Sequence, residues 1–343
     1  MKKRIKIFST ALKSGKGGIS TALVGYVSSL SKMALLEFVV THEEGKKITA
    51  FLTSFKSAWK TEPGEICWFH MGPWFSMIRK LILIFICKIK KGVVVSHFHS
   101  PRVFDYLNKR PFKLLLSLII NLSDKIVVLT PWWKKMLSEA FPEHQHKFII
   151  SANPIDKQLS VLAQEKIRHE RTDKINVLSM SRLEIGKGVD KTILAFKLLP
   201  DNFHLAIAGT GNQENALKDL VEKSGLSDRV SFLGWVNYES KIELLKKASV
   251  FCLPSKLDSF GMVYLEAMAA NLPIVALNYQ AIPDVVPLFA GVLADKDDAE
   301  VLADAIINAS KMVFSSDELP SEYISRVFDE DYISKEFLKN VCN

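Results

Sequence analysis

Short apolar runs rich in β-branched residues alternate along the whole chain with longer stretches whose apolar positions recur at helical spacing. In the first half the short runs fall at 4–8, 37–41, 65–70, 93–99, 125–130 and 148–151, with helical patterns over 19–30, 74–91 and 101–122. After a polar stretch (KQLSVLAQEKIRHERT, 157–172) the pattern restarts. Strands are predicted at 175–180, 204–208, 230–233, 250–253, 274–277 and 291–293, and helices over 189–199, 212–223, 240–248, 262–270 and 297–311. Strands separated by helices pair in parallel, because each crossover returns the chain to the same end of the sheet. The expected fold is α/β: two tandem Rossmann-like doubly wound domains with an interdomain cleft. The expected boundaries are 1–156, a linker at 157–172, 173–318, and a C-terminal helix over 319–343 that could pack back on the first domain. Ligands in such sheets bind at the carboxyl ends of the strands, so the loops that follow strands hold the candidate chemistry.

Composition removes other classes. With 48% hydrophobic and 24% charged residues in 343, the chain is no disordered, collagen-like or disulfide-stapled protein. Four scattered cysteines lack zinc or redox spacing and suit a reducing compartment. The basic start has an apolar run broken by Ser9, Thr10 and Lys13, which reads as a first strand rather than a signal segment. The longest uncharged apolar stretches, 81–87 and 114–123, are far short of the roughly 20 residues that span a bilayer. A cytoplasmic protein, not integral to a membrane, is expected.

Charge is uneven. Residues 1–150 hold 24 Lys/Arg against 9 Asp/Glu, a net +15, whereas 151–343 hold 21 against 28, a net −7. A basic half can face nucleic acid, an anionic membrane or an acidic substrate. The basic charges are scattered and no nucleic-acid module is visible, which argues against a nucleic-acid partner. Segment 74–91 (WFSMIRKLILIFICKIKK) surrounds an apolar centre with Arg79, Lys80, Lys88, Lys90 and Lys91. Its centre, 81–87, is apolar all round, which favours burial inside the protein, while its flanks suit an anionic leaflet.

Several strand-end loops carry polar candidates. SGKGGIS places Gly15, Gly17 and Gly18 between a strand and a helix, as a phosphate-approaching loop or a plain tight turn. MSRLEIGKG sets Arg182 and Lys187 five residues apart beside Gly186 and Gly188, a pair suited to a diphosphate or to a solvated loop. AIAGTGNQ carries the weak Gly209-x-Gly211 signal. In LPSKLDSFGMVYLEAMAANLPIVA, Asp258 or Ser259 could cap a helix that opens near Gly261. Glu266 lies among apolar neighbours and requires a partner, either ribose hydroxyls or a Lys or Arg. The amides of Gly261, Met262 and Val263 stand at the positive helix end. His70, His97 and His99 lie at strand ends; His97 and His99 share one face of a strand but need more ligands to hold a metal. Each histidine can instead be a hydrogen-bonding group or a general base, or a satisfied core residue.

The second-half segments SRLEIGKGVDKTILAFKLL, AIAGTGNQENALKDLVEKSGLSDRVSFLGWV and LPSKLDSFGMVYLEAMAANLPIVA, in that order, resemble the retaining family 4 glycosyltransferases of the GT-B fold. GKGGIS, VVVSHFHSP, DKIVVLTPWWKKML and SANPID extend the resemblance more loosely into the first half, similar to enzymes of bacterial capsule, O-antigen and lipopolysaccharide synthesis. The resemblance implies a nucleoside-diphosphate sugar as donor, a glycan or polyprenyl- or lipid-linked acceptor, no metal or other cofactor, and retention at the anomeric carbon. It implies Arg182 and Lys187 on the diphosphate, Glu266 on the ribose, and Asp258 with the backbone of Phe260, Gly261, Met262 and Val263 on the donor sugar. Gly17, Gly18 and Gly209 would approach the donor, and His99 would lie near the transferring sugar and acceptor. Asp258 is one methylene shorter than the family's Glu, and Gln280, Ala281 and Asp284 replace its Gly-Gly-acid segment. A nucleotide-sugar epimerase of the same fold is the alternative, and a basic nucleic-acid-associated binding protein the lesser one. The basic half then points to peripheral attachment at the inner face of the cytoplasmic membrane.

Overall fold

The computed structural model describes residues 2–10, 18–43, 45, 47–169, 172–316 and 318–342, with the backbone alone at 18–21. The chain divides into two compact units, Met1–Asp156 with Phe328–Asn343, and Lys157–Val327.

The first unit is a parallel sheet of β1 (Arg4–Thr10), β2 (Leu35–His42), β3 (Ile66–Met71), β4 (Val93–Phe98), β5 (Lys125–Val128) and β6 (Phe148–Ile150). The strand order is β2-β1-β3-β4-β5-β6. The whole of β3 is buried, as befits a central strand covered on both faces. Register places His70 directly beside His97. Order reverses between β1 and β3, which makes their carboxyl ends the switch point where sheets of this kind bind ligands.

The second unit has β7 (Ile175–Met180), β8 (Phe203–Ala208), β9 (Val230–Gly234), β10 (Val250–Cys252), β11 (Ile274–Leu277) and β12 (Gly291–Ala294), ordered β12-β11-β10-β7-β8-β9. This is the doubly wound dinucleotide-fold order, with its switch point between β7 and β10.

Three elements differ from the sequence reading. The supposed linker opens with the helix Lys157–Gln164, part of the second unit, which buries Leu159, Leu162 and Ala163. That i, i+3, i+4 stripe is short, and its polar surroundings hide it. The single helix expected over 101–122 is two, Val103–Leu107 and Arg110–Leu122, the second opening with Pro in its first turn. The single C-terminal helix is also two, Pro320–Val327 in the second unit and Glu330–Cys342 in the first. The last buries Ile333, Phe337 and Val341 in the first unit's core with Ile5, Tyr26 and Trp68. Phe337 stacks on Trp68 at 4.2 Å between ring centroids. Ser28 and Ser29 donate to Glu330 and Asp331 at 2.9 and 2.6 Å.

Candidate functional site: strand-end loops at two switch points

In the second unit Arg182, Lys187 and Asp258 sit on the two loops that flank the switch point. The loop after β7 carries Arg182, Gly186 and Lys187; the loop after β10 carries Asp258. The Lys256 amide donates to the Gly186 carbonyl at 2.8 Å, and the Ser255 hydroxyl donates to the same oxygen at 3.4 Å. These bonds tie the two loops together. Lys187, only 9% exposed, donates its ammonium to Asp258 Oδ1 at 2.8 Å and to the Leu257 carbonyl at 3.0 Å. Asp258 Oδ2 is buried without a hydrogen-bond partner among the described residues.

Asp258 therefore pairs with a cation, and it does not cap the following helix. The N-cap position of Met262–Ala269 is Gly261, in the left-handed backbone region and with no side-chain cap. Phe260 is buried, and Met262 and Val263 are half-buried at the helix start. Glu266 is buried in the second turn, and its Oε1 accepts from Lys241 Nζ at 2.7 Å. Lys241 belongs to Tyr238–Lys247, 25 residues earlier, a helix whose other charges are solvated. The partner that a carboxylate among apolar neighbours requires is thus a lysine remote in sequence. Arg182 is the exposed member of the cation pair, its Nη1 2.9 Å from Glu184 Oε1.

Gly209 has a positive φ of 129°, and a Cβ there would stand 1.8 Å from the Ser181 carbonyl oxygen. The close approach lets Ser181 and Leu183 donate to Ala208 and Thr210 at 3.1 and 3.0 Å. The Gly-x-Gly signal thus has a structural cause: it seats the loop after β8 against the segment that carries Arg182.

In the first unit, Gly17 lies outside the described residues, and Gly18 opens the helix Gly18–Met33. The histidines converge more than their spacing foretold. His70 at the end of β3 joins His97 in β4 and His99 just after it, and all three are buried. His70 Nδ1 and His99 Nε2 are 2.8 Å apart and share a hydrogen bond. His97 stacks in parallel with Trp68, and neither of its ring nitrogens has a partner among the described residues. Beneath them the buried Lys80 ammonium donates to the His70 carbonyl and, at 2.9 Å, to the Ser76 hydroxyl. Burial, with a smaller push from Arg79, lowers Lys80 to about 7. Burial and then Lys80 lower His99 to about 3, and burial holds His70 and His97 well below the ordinary imidazole value. All three rings are neutral at pH 7, so His99 can orient a hydroxyl and is a weak base.

One nitrogen from each ring lies within 4.8 Å of the others, and no carboxylate or thiolate joins them among the described residues. Two Asp-x-Asp triplets, 295–297 and 329–331, occur elsewhere in the chain. Each is engaged in the fold, Asp297 with Lys256 at 2.8 Å and Asp331 with Lys32 at 3.1 Å.

Two doubly wound parallel units of this order define the GT-B class of fold. Anabaena Alr3699/HepE, solved with UDP-glucose, superposes with a TM-score of 0.75 at 18% identity, over 98% of this chain and 99% of that one. The sequence pattern described as glycosyl transferases group 1 matches residues 162–324, nearly the whole of the second unit, and that unit belongs to the family. A Haemophilus influenzae protein described as an uncharacterized glycosyltransferase is 30% identical over 258 residues, 71% of this chain and 66% of that one. The amylovoran biosynthesis glycosyltransferase AmsK of Erwinia amylovora is 28% identical over 184 residues, 49% of this chain and 45% of that one. The chain therefore spans between about half and two thirds of these relatives' lengths.

Proposed function

We propose that the protein is a retaining, metal-independent glycosyltransferase that moves a sugar from a nucleoside diphosphate to a glycan or lipid-linked glycan acceptor. The observation that carries the reading is the Lys187–Asp258 pair at the switch point of the family-matched unit. An ammonium has three donors, and Lys187 uses two within the protein, so one remains for a diphosphate oxygen. Arg182 on the same loop adds a second cation, and together they take up the charge that grows on the departing diphosphate. Asp258 keeps one oxygen without a partner, an acceptor for a donor-sugar hydroxyl. Glu266, with one oxygen on Lys241, has lone pairs left for ribose hydroxyls. In front-face transfer the leaving phosphate oxygen receives the acceptor's proton, so the neutral His99 serves to position sugar or acceptor.

The name of AmsK supports a place in bacterial surface polysaccharide synthesis. The net +15 of residues 1–150 supports work at the inner face of the cytoplasmic membrane, and no described helix is long and apolar enough to cross it. The test is a panel of UDP-, GDP-, ADP- and CMP-sugars, scored by thermal shift and then by transfer with and without EDTA. One donor is expected to bind and react in both conditions. Full transfer by both Lys187→Ala and Glu266→Ala would overturn the site. Isomerised donor formed without acceptor would identify an epimerase instead.

A further inference from the structure

Single exposed apolar side chains are ordinary, but three neighbouring helices of the first unit carry them in register. On Trp74–Ile89 the buried stripe includes Met77, Leu83, Ile84 and Cys87, as helical burial requires. The opposite side carries a second apolar stripe, Phe75, Ile78, Ile82, Phe85 and Ile89, all exposed, at steps of three and four. The sequence reading that 81–87 is buried thus holds for only one side of the helix.

The helix Lys47–Trp59 packs against it and repeats the pattern, with Ala50, Ser54 and Ala58 inward and Ile48, Leu52, Phe55 and Trp59 exposed. On its other flank, Arg110–Leu122 exposes Leu114 and Leu118. None of the three helices contains an acidic residue. Their exposed charges are cationic, with Lys47 and Lys56 on the first and Arg110 and Lys113 on the last. Lys90 stands over the Trp59 ring at 5.6 Å, so a cation and an aromatic face water together.

We infer that this three-helix face is a docking surface for an anionic lipid bilayer, lying in the headgroup region with its apolar stripes in the upper acyl chains. It deepens the membrane part of the proposed function and rests on it. Apolar stripes without a charge partner would suit any hydrophobic cover, and the cations select among covers. A second copy of this face would bring two acid-free cationic surfaces together, which repel. An anionic leaflet supplies both an apolar interior and opposite charge, and each Lys or Arg near it strengthens attachment. The exposed aromatics Phe75, Phe85 and Trp59 belong at such a boundary. Helices that serve burial on one side and lipid on the other explain why the apolar content of 74–91 is so high.

The test is flotation of the full chain with phosphatidylcholine vesicles, with and without phosphatidylglycerol, in low and high salt. Wild type is expected to float with anionic vesicles in low salt. The variant Ile78→Ser/Ile82→Ser/Phe85→Ser should lose at least about tenfold of that partition while keeping the wild-type melting temperature, since all three side chains are exposed. Lys47→Glu/Lys56→Glu/Lys113→Glu should lose it in a salt-dependent way. If wild type does not float, both this face and the membrane part of the proposed function fall. If wild type and the serine variant float equally, only the face is overturned. A wild-type dimer that the serine variant turns to monomer in light scattering would also overturn it, assigning the face to self-association.

Discussion

Lys187 Nζ and Asp258 Oδ1 stand 2.8 Å apart, joining the loop after β7 to the loop after β10 where the strand order reverses. Both side chains are largely buried, so each is the other's principal counter-charge. Removing one leaves the other uncompensated, at a cost of about 2–4 kcal/mol. The prediction is that Lys187→Met lowers stability by that order and abolishes the donor's thermal shift. Asp258→Asn, which keeps the shape and frees the ammonium, should lose less stability and at least about tenfold in transfer. Denaturant titration and initial rates check both. Equal, small losses from the two variants would mean that the pair is a solvated contact.

Glu266 and Lys241 form a second pair, at 2.7 Å, with the carboxylate buried and the ammonium about a quarter exposed. If Lys241 fixes that carboxylate for ribose hydroxyls, Lys241→Met should weaken donor binding several-fold although Lys241 is remote in sequence. Arginine at 241 should restore part of it, because a charged donor returns to the same oxygen. Calorimetric titration with the donor found in the panel measures this. Unchanged affinity in Lys241→Met would restrict the lysine to a structural role.

These pairs show what is legible in the chain. Strands such as Val93–Phe98 read directly, because a fully buried parallel strand is a continuous apolar run between turn signals. The placement of Arg182, Lys187 and Asp258 on strand-end loops was legible too, since strands that alternate with helices run parallel and end at one edge of the sheet. Lys241 was not, because nothing local distinguishes one lysine on a solvated helix from its neighbours. His70 was visible as a strand-end polar residue, but its bond to His99 depends on β3 lying beside β4, a pairing that no spacing encodes. For the same reason Ile82 and Phe85 looked like core: a helix with apolar residues on two sides gives no sign of which side the protein covers.

The histidine cluster sets a pH dependence whose sign follows from burial. An unfolded histidine gains a proton near about 6.5, whereas in the fold His70 and His97 stay neutral well below that and His99 down to about 3. Between those values the unfolded chain binds protons that the folded chain does not, so stability should fall as pH drops from about 6.5 toward 3. Lys80 acts in another window. Unfolded it is protonated up to about 10.4, folded only to about 7, so its contribution makes stability rise from pH 7 toward 10. Replacing His97 by Leu removes an imidazole with no partner for either nitrogen and should flatten the acid limb with little loss, or a gain of about 1 kcal/mol, at pH 7. Melting curves from pH 8 to 4 test it. An unchanged acid limb would show that His97 takes no part.

Gly209 and Gly225 separate two effects that glycine combines. Both have positive φ, 129° and 68°, so alanine is strained at either. At Gly225 an added Cβ meets open space, and Gly225→Ala should cost only about 1 kcal/mol. At Gly209 it would stand 1.8 Å from the Ser181 carbonyl oxygen, a backbone atom that is itself tied into the loop beside Arg182. No rotamer relieves that clash; the two loops must part, and the bonds from Ser181 to Ala208 and from Leu183 to Thr210 must lengthen or break. Gly209→Ala should therefore cost more than about 3 kcal/mol and lose donor binding with it. Because the damage reaches Arg182 through Ser181, donor affinity should fall even at temperatures where the variant is fully folded. Chemical denaturation of both variants, with donor titration at low temperature, distinguishes displacement of the Arg182 loop from a general loss of stability. Wild-type affinity in folded Gly209→Ala would show that the loop after β8 does not set the position of Arg182.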